Sequence, residues 1–277
     1  MQANPPKLTV AIPTYRGAQF LGAAIQSVLA QTFRDFELLV INDNSPDDTE
    51  AVVRRFDDPR VRYLRNPDNL GPQGNWNRCL DLARGCYFKL LPHDDLLMPN
   101  CLARQVGVLD ADSAQQVALV FSAREVLAPD GRVLMQRGYP GAAEGRIDGR
   151  DVLRACVRRG TNLVGEPGAV MFRKALAEQI GPFDATNPYV IDLDYWFRLL
   201  AHGGAYFCDE ALASFRVSGG SWSVEIGSGQ SRDFKAFTAR FADQGLLPVT
   251  AMDRLVGRFT PALNNLARLA FYRLHLR

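Results

Sequence analysis

The chain has 277 residues, 47% of them apolar, with 32 basic against 30 acidic residues for a formal charge of +2. That is enough apolar material for one large core, and the near balance of charge argues against nucleic acid as the main partner. The five cysteines form no CxxC pair, which points away from a zinc site or disulfide framework toward a reducing cytoplasm, and the absence of a signal pattern or a run of about 18 apolar residues predicts a soluble or surface-bound protein.

Leu8 to Ile12 reads as a buried strand, and Phe20 to Leu29 has the apolar spacing of a helix. Phe36 to Ile41 is a second strand. Ser45-Pro46-Asp47-Asp48 then supplies a cap residue, an N1 proline and first-turn acids for a helix through Phe56. Val61 to Leu64 is a third strand, Asn66 to Gly74 a turn-rich loop, Asn75 to Arg84 a helix stopped by Gly85, and Tyr87 to Leu91 a fourth strand. Pro99 opens a helix to about Leu109, Val117 to Ser122 is a strand, and Pro129-Asp130-Gly131 is a hairpin turn. Alternating strands and helices predict an α/β fold with a mostly parallel sheet flanked by helices.

The second half is less regular, and reads as an α+β extension of the same sheet. It holds a helix near Asp151 to Arg158, a strand at Ala169 to Arg173 and a helix from Ile191 to Ala201. Val217 to Gln230 is rich in Ser and Gly around Trp222, the composition of a mobile flap. Helical stretches at Ser231 to Gln244 and Ala251 to Leu276, the latter interrupted at Pro261, close the chain. The expected division is 1–230 as the main domain, in halves of about 1–125 and 126–230, followed by a helical appendage over 231–277.

Two apolar runs end on carboxylates: Glu37 to Asp43, and Tyr87 to Asp94-Asp95. As neighbouring parallel strands they would bring three acids to the carboxyl edge of one sheet, where open α/β folds bind ligands. Such a pair suits a divalent metal bridging to a nucleoside diphosphate, whose leaving charge the metal offsets. Asp43 would accept hydrogen bonds from a base or ribose, or form an Asx turn with Asn44 and Ser45. Asp94-Asp95 is a site or a strand-end cap. The pairs at 47–48 and 57–58 fit a helix start and a surface turn. Asp192 and Asp194 open a helix but point about 200° apart, so they cannot share one job; either is a cap or an ionised general base favoured by the helix dipole.

Ala11-Ile-Pro-Thr-Tyr15, the Gln31 to Ser45 segment, the Asn69-Leu-Gly71 loop, Asp94-Asp95, Gly165-Glu166-Pro167, Phe183-Asp184 and the segment Asp192 to Arg198 stand in an order that resembles family 2 glycosyltransferases, over roughly Leu8 to Val217. The resemblance implies an inverting transferase of the GT-A fold, similar to bacterial enzymes that build surface polysaccharides. It implies that Pro13, Tyr15, Asp43 and Asp94 border a nucleoside-diphosphate sugar, a UDP-sugar in preference, that Asp95 holds Mn²⁺ or Mg²⁺, and that Asp192 is the base. On the same footing Glu166 contacts a glycan or lipid-linked acceptor and Trp222 covers the sugar.

Three positions depart from that pattern: His93 where an acid is frequent, Asn42 beside Asp43, and Ser218 where a histidine is frequent. Ser218 and His93 keep open a second reading, a degenerate module that binds a nucleotide or a partner without transfer. Retention of Asp43, Asp95 and Asp192 together argues against it. Pro13-Thr-Tyr-Arg-Gly17 is not the Gly-rich basic loop of a nucleotidyltransferase, and Walker, GxGxxG and GxSxG motifs are missing. Five arginines against Asp253 give the stretch from Ala251 a local charge of +4. Such a helix packs on the domain or rests on an anionic membrane surface, on the inner face for a cytoplasmic protein.

Overall fold

The computed structural model describes residues 5–217, 229–246 and 249–275. Trp222, Ser218 and most of the expected flap lie outside the described residues. Ten strands among the described residues form one sheet: β1 (Leu8–Thr14), β2 (Phe36–Asn42), β3 (Val61–Arg65), β4 (Tyr87–Leu90), β5 (Leu96–Leu97), β6 (Val117–Leu127), β7 (Val133–Arg137), β8 (Gly145–Ile147), β9 (Val170–Arg173) and β10 (Gly204–Arg216). Their order is β3-β2-β1-β4-β9-β6-β10-β5, with β7 on β6 and β8 on β10. β1, β2, β3 and β4 pair in parallel, as do β6 and β10, while β9 runs antiparallel between β4 and β6.

Helices cover both faces: α1 (Leu21–Leu29), α2 (Thr49–Val53), α3 (Gly71–Leu82), α4 (Cys101–Ala111), α5 (Gly149–Arg159), α6 (Lys174–Ile180), α7 (Ile191–Leu200), α8 (Gln230–Asp243), α9 (Ala251–Gly257) and α10 (Thr260–His275). Alternation along the strands sorts the core into two layers. Val10, Leu38 and Val40 face Leu21, Ile25, Leu102 and Val106, whereas Ala11, Leu39 and Ile41 lie in the layer of Leu80, Leu153, Trp196 and Phe237. β1 and β2 are buried along their whole length, as central parallel strands are. The helix α3 turns into β4 at Gly85, where a Cβ would stand 2.4 Å from the Thr9 nitrogen.

Several elements differ from the sequence expectation. β1 lies between β2 and β4, so the two acid-tipped strands flank a third rather than touching. α2 begins at Thr49, not after Ser45. Asn42 Oδ1 accepts the Ser45 N–H and Ser45 Oγ accepts the Arg16 N–H, which keeps Ser45 in the preceding loop. α3 begins at Gly71, with Pro72 in its first turn, so the loop is shorter than its turn-rich sequence suggests. The long strand β10 was not expected at all. Register shifts between Cys208 and Ala211, and between Ala211 and Ala213, interrupt the period of two that marks a strand. The C-terminal helical stretch is broken as expected, with Pro261 in the first turn of α10.

Candidate active site

At the carboxyl end of β4 the chain turns through Pro92 and His93 to Asp94 and Asp95. Asp95 is 1% exposed. Its Oδ1 accepts the Arg216 N–H at 3.0 Å, and Arg216 Nε donates to the Asp94 carbonyl at 3.1 Å. The last residue of β10 thus straps the acidic pair to the sheet, with its guanidinium over the Phe20 ring at 4.7 Å. Burial, and after it the adjoining Asp94 charge, pushes the Asp95 carboxyl well above its ordinary range.

Because β9 runs the other way, its beginning lies beside the end of β4 and the middle of β6, where Val170 pairs with Phe121. Glu166 precedes that strand, and Arg124, 3% exposed in its side chain, donates from Nε to Glu166 Oε2 at 2.7 Å. Gly165, at φ +113°, is where a Cβ would meet the Arg124 guanidinium at 3.0 Å, so a side chain there would disturb the pair. Burial works to raise the Glu166 carboxyl, but Arg124 and then Arg137 outweigh it and hold the group below its ordinary value.

Asp192 enters from α7. Its Oδ1 accepts the Leu193 N–H at 2.7 Å and its Oδ2 accepts from Asn162 Nδ2 at 3.0 Å. The N-cap position of α7 is Val190, which makes no side-chain cap bond, and the first-turn Leu193 N–H is met by Asp192 instead. Asn162 is locked in turn: its Oδ1 accepts the Gly165 N–H, and its Nδ2 and the buried Trp196 Nε1 both donate to the Gly165 carbonyl. The segment before β9 is thereby stapled to α7. Burial, assisted by the Glu166 charge, raises the Asp192 carboxyl to about 7. Asp194 points elsewhere and pairs with Arg198 at 2.9 Å and with Arg240.

Asp94, Asp95, Glu166 and Asp192 line one cavity of about 230 Å³, with Trp76, Arg137, Asn162 and Arg268. Asp43, Pro13 and Tyr15 do not line it. Asp43 is buried at the end of β2, where its Oδ1 accepts from Asn66 Nδ2 at 2.7 Å and from the Leu70 N–H at 2.9 Å. It anchors the 66–70 loop, whereas the Asx turn to Ser45 belongs to Asn42. Pro13 is buried in β1 and Tyr15 is 40% exposed just beyond it. His93 lies against Gly17. Arg124, Arg137, Asn162 and Arg216 are site-building residues that the sequence reading did not single out.

The acidic pair suits a divalent cation. Its donors are hard carboxylate oxygens, and Asp95 carries a burial and like-charge penalty that a cation would relieve. Among the described residues no three or more His, Cys, Asp or Glu side chains form a metal cage. An ion here would complete its shell with phosphate oxygens and water, as Mg²⁺ commonly does.

Residues 9–181 match the sequence family described as Glycosyl transferase family 2. The chain belongs to that family. It is 31% identical to the uncharacterized protein MT1568 of Mycobacterium tuberculosis over 82% of this chain and 72% of that one. An uncharacterized glycosyltransferase of Rickettsia typhi, RT0329, is 29% identical over 76% of this chain and 64% of its own. The GalNAc(5)-diNAcBac-PP-undecaprenol beta-1,3-glucosyltransferase of Campylobacter jejuni is 42% identical over 35% of this chain and 33% of its own. Among solved structures, S. aureus TarS 1–349 in complex with UDP-GlcNAc superposes with a TM-score of 0.70 at 16% identity, over 98% of this chain and 76% of that one. The mannosyltransferase PcManGT of Pyrobaculum calidifontis, in complex with GDP-Man and Mn²⁺, gives 0.62 at 18% identity, over 98% and 81%. At such identities the likeness is one of fold, and the fold of this family 2 member is GT-A. No helix among the described residues is long and apolar enough to cross a membrane.

Proposed function

We propose that this family 2 chain is an inverting hexosyltransferase of polysaccharide synthesis, moving a sugar from a nucleoside diphosphate to a hydroxyl of a glycan or lipid-linked acceptor. The observation that carries the reading is the convergence of Asp94, Asp95, Glu166 and Asp192 on one cavity, with Asp192 raised to about 7. A base with that value is half ionised at neutral pH and strong enough to take a proton from a hydroxyl as it attacks. The acceptor oxygen forms a bond to the anomeric carbon, the bond from that carbon to the diphosphate oxygen breaks, and the hydroxyl proton passes to Asp192.

Asp95, with Asp94 beside it, would hold Mn²⁺ or Mg²⁺. When bound, the ion offsets the charge that develops on the leaving diphosphate. Arg216 keeps the acidic pair in place, and Asn162 keeps Asp192 aimed. Asp43, Pro13 and Tyr15 would shape the nucleotide end of the donor site, one strand away from the cavity. A UDP-sugar is the favoured donor because the structural neighbour TarS binds UDP-GlcNAc. The Campylobacter relative, named for an undecaprenol-linked acceptor, supports a lipid-linked one here.

Thermal unfolding with UDP, dTDP, GDP or CMP, each with and without Mn²⁺, tests the reading first. A ligand at about 100 times its Kd adds roughly 2.7 kcal/mol. Stabilisation by one diphosphate that depends on Mn²⁺ is expected. Well-folded protein that responds to none of them would favour the non-catalytic module instead.

A further inference from the structure

Helices α9 and α10 leave an apolar stripe uncovered. Met252, Leu255, Phe259, Leu263 and Leu266 are 61%, 51%, 64%, 63% and 65% exposed. Met252 and Leu255 stand three residues apart on α9 and Leu263 and Leu266 three apart on α10, so each pair shares a helical face, with Phe259 in the turn that joins the two helices. Up to Phe271, every exposed residue of α10 is alanine or leucine: Ala262, Leu263, Leu266, Ala267 and Ala270. Single exposed leucines are ordinary, but five large apolar side chains exposed between Met252 and Leu266 mark a contact surface.

On α9 and the turn after it, the exposed charges have one sign. Arg254 and Arg258 are exposed beside it. Asp253 is the one acid between Ala251 and His275, and it is buried against Arg154 at 3.2 Å and Arg158 at 3.3 Å. We propose that this face docks on an anionic phospholipid surface, with Leu255, Phe259, Leu263 and Leu266 entering the acyl boundary and Arg254 and Arg258 meeting the headgroup phosphates. A second copy fits less well. Two-fold pairing of the strip would bring Arg254 and Arg258 toward their own counterparts, with no exposed acid on α9 or α10 to offset them.

The opposite side of α10 supplies Arg268 and Phe271 to the cavity that holds Asp95 and Asp192. Docking would therefore set the cavity wall about one helix diameter, roughly 10 Å, from the lipid. The advantage this gives to a lipid-linked acceptor rests on the transferase reading above, whereas docking itself does not. Its test involves no turnover.

The full chain is sedimented with vesicles of phosphatidylglycerol mixed with phosphatidylcholine, and with phosphatidylcholine alone. Binding to the anionic vesicles and weakening at raised salt are expected. Leu263→Ser with Leu266→Ser should lower the partition about tenfold or more, and Arg254→Glu with Arg258→Glu about 25-fold or more. Both double variants alter exposed side chains, and an unchanged melting temperature confirms that each is folded. Wild-type protein left in the supernatant would overturn the proposal, as would full binding by the leucine variant. So would a dimer in solution that the leucine variant turns into a monomer without any vesicle binding.

Discussion

Asn162 Nδ2 donates to Asp192 Oδ2 at 3.0 Å across 30 positions of sequence, and Gly165 fixes the same asparagine from both sides of its amide. The carboxylate is aimed by a neighbour that is itself unable to turn. Asn162→Ala should therefore lower kcat about 10- to 100-fold with little change in donor KM, since misaim affects the attack and not the nucleotide. The loss of buried hydrogen bonds costs about 1–2 kcal/mol in stability, measurable by urea unfolding.

Asp192→Asn is expected to abolish transfer while leaving donor binding nearly intact, read by single-turnover assay and calorimetry. In the wild type, the rate should rise with pH through about 7, because the base must be ionised. The folded-state pKa is raised, so the protein is most stable below the unfolded value and loses that stability as pH rises toward 7. Asp192 is densely surrounded yet partly open to the cavity, which limits the effect. Asp192→Asn should raise stability by about 1–2 kcal/mol at pH 8, with little change near pH 4.

Glu166→Gln removes a negative charge that helps to raise Asp192. The ascending limb of the pH–rate profile should move to lower pH. The same change leaves the buried Arg124 guanidinium without its ionic partner, at a cost of about 2 kcal/mol in denaturant unfolding. A profile that stays in place would remove Glu166 from the tuning of Asp192.

Asp95→Ala should lose the Mn²⁺-dependent part of nucleotide stabilisation, and titration of Mn²⁺ into the variant would check it. The substitution also deprives the Arg216 N–H of its acceptor. Asp95→Asn keeps an acceptor oxygen for that N–H and separates the two effects. A variant with unchanged metal dependence would place the ligand elsewhere.

Asp43→Ala is expected to destabilise the protein by about 1–3 kcal/mol, because the Asn66 amide and the Leu70 N–H lose one shared acceptor. Hydrogen exchange should show the 66–70 loop opening more often than the rest of the chain.

β1, β2 and β4 were legible because each is a short, mostly apolar run bounded by turn residues, and Asp94-Asp95 stood out from the other acidic pairs by following directly on one of them. β10 was not legible, because its bulges and the exposed Asp209-Glu210 break the alternation that a strand reading depends on. Asn162 gave no signal of its own, since a single asparagine in a loop acquires meaning only from what lies 30 residues away. The clue available was Gly165 beside Glu166, a glycine next to an acid at the start of an apolar strand. Arg216 was hidden for a related reason: its backbone N–H does the work on Asp95, and no side-chain chemistry advertises that.

β9 enters the sheet against the direction of both neighbours, and this divides the site by origin. The paired carboxylates Asp94 and Asp95 come from a chain leaving the sheet after β4. Glu166 comes from a chain arriving at it, and Asn162 belongs to the same approach segment. Sequence drift between α5 and β9 can therefore recut one wall of the cavity while Asp94 and Asp95 stay where they are. A lineage of such proteins could reshape that wall without disturbing the turn that carries the acidic pair.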